Sequence, residues 1–326
     1  MDNLTHSLVG ALLGQAGLKK KTGLAMPALI IGANLPDIDA ACFFWLEGQE
    51  HLGFRRGITH GPPALVLLPL ILAALLWAFD RWQTKRGKRP EGRLPVHFGW
   101  LFALSFIGCL THPALDWLNV YGIRLLEPFS SQWFYGDTLF IIDVWLWALL
   151  AVSVWWSMRK QKRGGNWTKP AWIGLIVGLS YIGMNGAITN SLVARESQAD
   201  VIGGEREVIA SPVPLWFWQR ETIIGEDGRY QIFSPEIEHL DNARASDEEY
   251  EQHVSRVGDC ALDPAFAAAK GNSQAEAFLF WARTLVADRA EDGSVILRDA
   301  RFYDPLLGDR FSLALSDVEC EELPAD

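Results

Sequence analysis

The sequence predicts a mainly α-helical, polytopic membrane bundle followed by a small α+β extramembrane domain. Of the 326 residues, 49% are hydrophobic and 15 are tryptophan. The charge changes sign along the chain: residues 1–194 contain 17 Lys and Arg against 11 Asp and Glu, whereas residues 195–326 contain 12 against 28. A basic, apolar part before an acidic part indicates a membrane domain joined to a water-soluble one. We therefore predict a membrane-embedded domain over 1–194 and a soluble domain over 195–326.

Four apolar stretches approach the roughly 20 residues that a helix needs to cross a bilayer. They are Pro62 to Phe79, Phe98 to Leu118, Leu139 to Met158 and Trp172 to Ala194. Two shorter stretches, Leu4 to Leu18 and Leu24 to Ala33, predict a helical hairpin sunk into the bundle. His6, Gly10 and Gly14 follow one another at four-residue steps, so the glycines allow a neighbouring helix to approach the face that carries the histidine. We expect this contact to bury His6 against protein.

The loops between these stretches differ strongly in charge. One set contains 14 Lys and Arg, whereas the opposite set contains only Arg55, Arg56 and Arg124. Because basic loops stay in the cytoplasm, the second set and the tail after Ala194 are predicted to lie outside. In a bacterium, the chain would then be a multi-pass inner-membrane protein with a periplasmic carboxyl-terminal domain.

The sequence of residues 195–326 predicts several strands and one helix. Apolar runs at Val208 to Ile224 and Gly228 to Phe233 indicate strands around a turn at Glu226 to Gly228. Gln274 to Ala287 predicts an amphipathic helix. A terminal strand pair is predicted in two segments, which are Ser294 to Asp304 and Arg310 to Ser316.

The four cysteines and the negative charge of the tail indicate the compartment and the kinds of partner that can be expected. Cys260 and Cys320 share the predicted outer domain, where an oxidising compartment would allow a disulfide. Cys42 and Cys109 lie in or near the membrane without a CxxC spacing, which favours packing over metal binding. The acidic surface of the tail argues against nucleic acid as a partner.

Six imidazole and carboxylate groups from four segments meet at the predicted outer face of the bundle. Ionisable groups are costly inside a membrane, so such a cluster is a functional site by default. Within it, His112 and Asp116 are four residues apart, which places both on one face of a helix. Imidazole and carboxylate together suit Zn²⁺ or a similar divalent ion. The six candidate ligands are His6, Asp37, Asp39, His60, His112 and Asp116.

Each group also has a structural explanation. Asp37 and Asp39 in the segment NLPDID could cap the next helix, and Pro36 favours a turn there. Asp116 could pair with His112 without any metal. The convergence of six groups from separate segments favours a site over this structural alternative.

Five segments resemble successive blocks of the YdjM-like family of bacterial inner-membrane proteins, which are described as metal-dependent hydrolases. The resemblance covers the chain to about Asp143 and is carried by MDNLTHSLVGALLGQAGL, ANLPDID, FRRGITHG, THPALDWLNVYGIRLLEPFS and WFYGDTLFIID. The order of the ligands is also similar to that of zinc-dependent phospholipase C and P1-type nucleases. Those helical enzymes hydrolyse phosphate esters with a cluster of up to three zinc ions.

The resemblance implies a ligand set for the metal. One ion would be held by Asp37 or Asp39 together with His60, His112 and Asp116. A second would contact His6 and Asp116. No further intramembrane histidine follows His112, so one or two divalent ions are expected instead of three, and zinc is the predicted metal.

Roles for the remaining groups follow from this ligand set. Whichever of Asp37 and Asp39 is not a ligand would accept a proton from water or orient His60. Arg56 is assigned to an anionic substrate group, although the arginines could instead anchor lipid headgroups. Five further residues are candidates for the surroundings of the metal, namely Arg55, Thr59, Arg124, Asp137 and Asp143.

These expectations favour a membrane-bound hydrolase of a phosphoester. A site that opens at the outer leaflet suggests a lipid or lipid-linked phosphate as substrate, with membrane lipid as the partner. A non-catalytic membrane anchor or regulator is the alternative. A cation transporter is disfavoured, because Pro62 to Phe79 and Leu139 to Met158 carry few polar groups toward the cytoplasmic face. The sequence leaves the substrate and the oligomeric state open.

Overall fold

A computed structural model describes most of the chain. The described residues are 1–198, 207–226, 229–233, 254–303 and 308–323. They form two compact units. The helical unit comprises Met1–Asp39 and Arg56–Ala187, and the sheet unit comprises Ala40–Arg55 and Ile188–Asp326. This division differs from the predicted boundary at 194/195. The sheet unit begins seven residues earlier, and it also contains Ala40–Arg55 from the amino-terminal half of the chain.

The helical unit contains six α-helices, the last of which continues into the sheet unit. Their bounds are α1 Asn3–Gln15, α2 Ala25–Gly32, α4 Pro62–Lys85, α5 Phe98–Trp117, α6 Val144–Lys162 and α7 Thr168–Ser197. Two 3-10 segments, Leu35–Phe44 and Ile58–His60, lie between α2 and α4. A short helix between them, α3 Glu50–Phe54, belongs to the sheet unit.

Three of the described helices are long and apolar enough to cross a membrane: α4, α5 and α7. The pair formed by α2 and the 3-10 segment Leu35–Phe44, bent by 52°, would count as a fourth crossing if it is one span. The predicted stretch Leu139 to Met158 is helical only from Val144, because Asp143 caps α6. Four tryptophans and a basic last turn lower the hydropathy of α6. This helix is therefore not among the described helices that are long and apolar enough to cross a membrane.

The predicted hairpin of α1 and α2 is confirmed, and it packs against α5 through glycines. A Cβ atom at Gly10 would lie 2.7 Å from the carbonyl oxygen of Leu29, and one at Gly108 would lie 2.6 Å from the same atom. Gly32 approaches the backbone of Ser105 equally closely, at 2.6 Å. Larger side chains at these positions would push the three helices apart. The prediction that Gly10 faces a neighbouring helix is therefore confirmed, and His6 is fully buried.

The other side of α1 packs against α6. Leu12, Leu146 and Leu150 are buried in a shared apolar cluster. The indole nitrogen of Trp147 donates to Asp2 Oδ2 at 3.0 Å and to Thr5 Oγ1 at 2.9 Å. Together with the glycine contacts, this packing holds the start of α1 between α5 and α6.

The sheet unit contains two antiparallel sheets. The first has the order β1 Glu207–Pro212, β2 Arg220–Glu226, β3 Arg229–Phe233 and β4 Val254–Val257. The second has the order β5 Leu285–Arg289, β6 Ser294–Asp299 and β7 Ser312–Glu319. Two helices precede β5, namely α8 Leu262–Ala269 and α9 Ser273–Trp281. The predicted terminal strand pair is confirmed by β6 and β7, while the predicted turn at Glu226 to Gly228 includes residues 227 and 228, which lie outside the described residues.

One predicted helix of this unit is confirmed only in its first part. The sequence favoured a helix over Gln274 to Ala287, but the helix ends at Trp281 and the chain enters β5 at Leu285. The backbone N–H groups of Arg283 and Thr284 donate to Asp299 Oδ2, at 2.7 and 3.4 Å. These long-range bonds satisfy donors that a helix would have used locally, and the periodicity of the apolar residues could not reveal them.

Residues 40–55 bind the carboxyl-terminal part of the sheet unit through hydrogen bonds. Ser273 Oγ donates to Glu50 Oε1 at 2.5 Å, and Gln49 Nε2 donates to the Ser312 carbonyl at 2.9 Å. The predicted disulfide between Cys260 and Cys320 is present. Helix α3 and the carboxyl-terminal sheets therefore form one folded unit.

Candidate metal centre

The candidate ligands are supplied by three elements of the helical unit. His112 and Asp116 lie one turn apart on α5, as the spacing predicted. His60 ends the 3-10 segment Ile58–His60, and Asp37 lies in the first turn of Leu35–Phe44. The two 3-10 segments therefore bring side chains that are distant from α5 in the sequence to the same end of that helix.

Four of the six predicted ligands form a compact cluster. Asp37, His60, His112 and Asp116 each offer one ligand atom, and these atoms all lie within 4.8 Å of one another. Asp116 Oδ2 is 3.5 Å from His112 Nε2 and 3.7 Å from His60 Nε2, and His112 Nε2 is 3.7 Å from Asp37 Oδ1. A tetrahedral zinc ion with bonds of about 2.0–2.1 Å separates its ligand atoms by about 3.3 Å. The cluster would therefore accept such an ion after small side-chain movements.

The atoms that face one another are buried and unsatisfied. His60 Nε2 and His112 Nε2 have no hydrogen-bond partner, and Asp116 Oδ2 makes no hydrogen bond beside its ion pair with Arg56. Leaving a polar atom buried without a partner costs about 1–3 kcal/mol, so the two nitrogens need an explanation. A cation between them and the carboxylate would satisfy both, and the residues present thus fit a divalent metal.

The second ring nitrogen of each histidine is occupied, which orients the first. His112 Nδ1 lies 2.7 Å from the Ala33 carbonyl oxygen. A carbonyl only accepts, so Nδ1 carries the proton and Nε2 keeps its lone pair for a metal. Ala33 follows α2 directly, and the glycine contacts between α2 and α5 bring its carbonyl within reach. Sequence reasoning missed this group, because a backbone carbonyl leaves no signal in the sequence.

The structure distinguishes Asp37 from Asp39, which the sequence left as alternatives. Asp37 belongs to the cluster, and its side chain is 10% exposed while the other three are exposed by at most 1%. Asp39 Oδ2 instead accepts from the Arg56 backbone N–H at 2.8 Å and lies 3.6 Å from His60 Nδ1. Thr59 Oγ1 contacts both Asp39 Oδ2, at 3.3 Å, and His60 Nδ1, at 3.0 Å. Asp39 therefore orients the His60 segment, and Asp37 lies at the edge of the cluster.

His6 lies against the cluster but outside the group of four. Its ring stacks on His112 with centroids 3.8 Å apart, and its Nε2 is 3.4 Å from Asp116 Oδ1. Both ring nitrogens are buried without a hydrogen-bond partner. The Met1 ammonium group also pairs with Asp116 Oδ1. A second ion between His6 and Asp116 remains a prediction.

Arg56 is buried beside the same carboxylate. Its Nε lies 3.2 Å from Asp116 Oδ2, and its Nη1 donates to Asn119 Oδ1 at 2.9 Å and to the Gly122 carbonyl at 3.0 Å. The guanidinium group also lies 4.5 Å from the centre of the Tyr121 ring. The Arg56 guanidinium therefore balances part of the negative charge of Asp116. Its binding of an anionic substrate group stays a prediction. Asn119 and Tyr121 were not among the predicted residues.

The other residues that were predicted to surround the metal belong partly to the helical unit and partly to the sheet unit. The backbone N–H of Arg124 donates to the Arg56 carbonyl at 3.0 Å, and its guanidinium pairs with Glu127 at 2.9 Å. Asp143 lies apart from the cluster, because one oxygen caps α6 through the Leu146 N–H and the other accepts from the Tyr181 hydroxyl. Two further predicted residues also lie outside the group of four, namely Arg55, which stacks on Phe43 within the sheet unit, and Asp137, which has a φ of 46°.

Apolar helices of membrane-spanning length and a buried cluster of two imidazoles and two carboxylates define a class: integral membrane proteins with a candidate metal centre. The chain belongs to the YdjM inner membrane protein family, whose model matches residues 1–188. The match contains every residue of the cluster and ends within α7. The family expected from the sequence segments is thereby confirmed, whereas the similarity to zinc-dependent phospholipases and nucleases remains a prediction.

A similar protein is known in Bacillus subtilis (strain 168), where it is named "Uncharacterized protein YfhP". The two sequences are 28% identical over 167 residues, which is 48% of this chain. The match covers 47% of the length of the Bacillus protein. No solved structure shows significant similarity to this chain.

Proposed function

We propose that this protein is a membrane-bound, metal-dependent hydrolase of phosphoesters, with a lipid or lipid-linked phosphate as its substrate. The observation that carries the proposal is that two buried imidazole nitrogens without a hydrogen-bond partner, His60 Nε2 and His112 Nε2, face the Asp116 carboxylate with Asp37 beside them. Arg56 and the Met1 ammonium group already pair with Asp116, whereas the two imidazole nitrogens are left available for a ligand.

Asp37, His60, His112 and Asp116 would hold the ion. When bound, Zn²⁺ or a similar ion activates water and polarises a phosphoryl oxygen. The Ala33 carbonyl and Asp39 keep the two imidazoles turned toward the ion. Arg56 offsets part of the negative charge of Asp116. Asp37 is the most exposed member of the cluster, so substrate would approach along its side.

Exposed apolar side chains next to the ligands support a lipid substrate. Ile38 is 58% exposed and follows Asp37 directly, and Ile58 is 55% exposed and lies two residues before His60. Phe129 is 77% exposed. The loop that leads to it approaches the His60 segment closely, because a Cβ at Gly61 would overlap the Glu127 carbonyl. An apolar edge beside a polar centre suits a molecule with a phosphate group and an acyl or polyprenyl chain.

We assign the centre and the carboxyl-terminal domain to the outer side of the inner membrane. The support is the bias of 14 positive charges against three between the two sets of loops. This assignment requires α6 to cross the bilayer as well as α4, α5 and α7. A periplasm-active reporter fused after the last residue should be active, whereas activity only from a cytoplasmic reporter would contradict the assignment.

The proposal is tested with the full-length protein in lipid nanodiscs. Wild type should contain one or two equivalents of a divalent ion, and it should hydrolyse at least one substrate from a panel of phospholipids and lipid-linked phosphates. A chelator should abolish hydrolysis, and added zinc should restore it. His112→Ala should lose both metal and hydrolysis. His97→Ala, an exposed histidine at the opposite end of α5, is the matched control and should keep both.

Two outcomes would contradict different parts of the proposal. A metal-loaded wild type that cleaves nothing in the panel would remove the hydrolase and leave a metal-binding anchor. A wild type without metal, or a His112→Ala variant with unchanged metal content, would remove the centre itself.

A further inference from the structure

We infer that the loop between β1 and β2 inserts its aromatic side chains into the headgroup region of the bilayer and attaches the sheet unit to the membrane surface. The loop follows Pro212 and ends at Gln219, and its sequence is VPLWFWQ. We call Leu215, Trp216, Phe217 and Trp218 the aromatic loop. The inference does not depend on the proposed hydrolase or on which side of the membrane the sheet unit lies.

The aromatic loop carries three large apolar side chains that are exposed within four consecutive residues. Leu215 is 57% exposed, Trp216 52% and Trp218 45%. The two indole rings are in edge contact, with centroids 5.3 Å apart. Three exposed apolar side chains at one loop tip form a contiguous patch, and such patches on folded proteins mark contacts with lipid or with another protein.

A buried arginine fixes this loop to the last membrane helix. Arg220 is only 1% exposed. Its Nε donates to Thr189 Oγ1 on α7 at 2.9 Å. Its Nη1 donates to the backbone carbonyls of Phe217, at 2.6 Å, and Gln219, at 2.9 Å. The guanidinium group therefore links the loop backbone to Thr189 on α7 through hydrogen bonds, and these bonds hold the loop beside that residue.

The position of Thr189 places the loop at the level of the membrane surface. The apolar part of α7 begins near Trp172, so Thr189 lies 17 residues further along the helix. At about 1.5 Å per residue this distance is about 26 Å, and the hydrocarbon core is about 30 Å thick. Thr189 is thus close to the boundary between hydrocarbon and headgroups. Side chains held beside it would meet the interfacial region, where tryptophan is enriched.

The chemistry of the loop favours lipid over a charged partner. No Asp, Glu, Lys or Arg occurs between Pro212 and Gln219. Indole rings combine a large apolar face with one N–H donor, which suits the mixed environment at the level of the headgroups. Since residues 195–326 carry a net negative charge, anionic lipids would repel the unit. The attachment must then depend on apolar insertion, and high salt should not release it.

The test measures the depth of a spin label in the full-length protein in phosphatidylcholine nanodiscs. Single cysteines replace Trp216 or, in a second variant, Trp218, in a background with Cys42→Ala and Cys109→Ala. The control label replaces Glu291, an exposed residue of the turn between β5 and β6. Labels at 216 and 218 should collide severalfold more often with oxygen than with a water-soluble nickel chelate. The label at 291 should show the reverse, and 1 M salt should change neither result.

Two results would overturn the inference. Labels at both loop positions that collide with the nickel chelate as often as the label at 291 would mean that the loop lies in water. Labels protected from oxygen and nickel alike would mean that protein, including a second copy of this chain, covers the loop. Two loop positions are used so that a folding defect in one variant does not decide the outcome.

Discussion

Asp116 in the helical unit and Asp299 in the sheet unit are both almost completely buried next to arginine, and the two clusters differ in what they leave unsatisfied. In the sheet unit, Arg301 donates to Asp299 through Nε at 2.8 Å and through Nη2 at 2.7 Å, and the Thr284 hydroxyl donates at 2.7 Å. In the helical unit, Asp116 faces two imidazole nitrogens, of His60 and His112, that have no hydrogen-bond partner. The first network leaves none of these groups without a partner, whereas the second leaves the two imidazole nitrogens without one.

The difference shows how burial alone should be interpreted. Burial by itself would raise the pKa of Asp299, but the adjacent Arg301 guanidinium and the hydrogen bonds to the carboxylate outweigh it and hold the pKa below its ordinary value. Asp299 therefore stays charged and serves the fold. A buried carboxylate indicates a binding site when polar atoms that face it lack partners, as His60 Nε2 and His112 Nε2 do beside Asp116.

Breaking the network around Asp299 should have the largest effect on stability. Asp299→Asn leaves the buried Arg301 guanidinium without its counter-charge, which costs about 3–5 kcal/mol. The measurement is the urea dependence of proteolysis within the sheet unit of the full-length protein. Asp317→Asn, which changes an exposed carboxylate in β7, is the control and should cost less than about 0.5 kcal/mol. Equal stability of Asp299→Asn and wild type would mean that the network contributes nothing to the fold.

Removing metal should affect the network around Asp116 alone. An ion present at 100 times its dissociation constant stabilises the folded state by about 2.7 kcal/mol, so a chelator should lower the melting temperature of the wild type. His112→Gln keeps the polarity of the side chain but loses the ligand. Its melting temperature should not respond to the chelator. A chelator shift of equal size in both proteins would place the metal elsewhere, and proteolysis within the sheet unit should be unchanged throughout.

The smallest effect is expected at Asp39, which orients the His60 segment without joining the cluster. Loss of such a supporting group weakens metal binding by about 10–100-fold. Asp39→Asn should thus retain the ion with lower affinity, measured by competition with a chromophoric chelator. Asp143→Asn provides a matched control, because that carboxylate caps α6 and should leave the affinity unchanged. Complete loss of metal in Asp39→Asn would make Asp39 a ligand.

The ligand set could be predicted largely from the sequence, for a physical reason. Ionisable side chains are rare in apolar segments, so His6, His112 and Asp116 stand out without any structure. The four-residue spacing on α5 required only the periodicity of a helix. The choice between Asp37 and Asp39 could not be made, because both lie in one 3-10 segment and the sequence does not show which of the two side chains faces α5.

The sequence placed the end of one helix too late because the deciding contact is distant along the chain. The helix predicted over Gln274 to Ala287 ends at Trp281, because Asp299 binds the backbone of Arg283 and Thr284. The contacts of Gln49 and Glu50 with the carboxyl-terminal part are of the same long-range kind, and the composition of residues 40–55 gives no sign of them.

By itself, the sequence determined the apolar helices, the acidic α+β tail, the family and the types of side chain available to a metal. These properties follow from composition and from periodicities of a few residues. Tertiary structure alone decided which carboxylate joins the cluster, which carbonyl orients His112 and where Arg220 holds the aromatic loop. Each of these depends on distances between atoms far apart in the chain, and such distances are set only when glycine contacts and buried hydrogen bonds have brought the helices together.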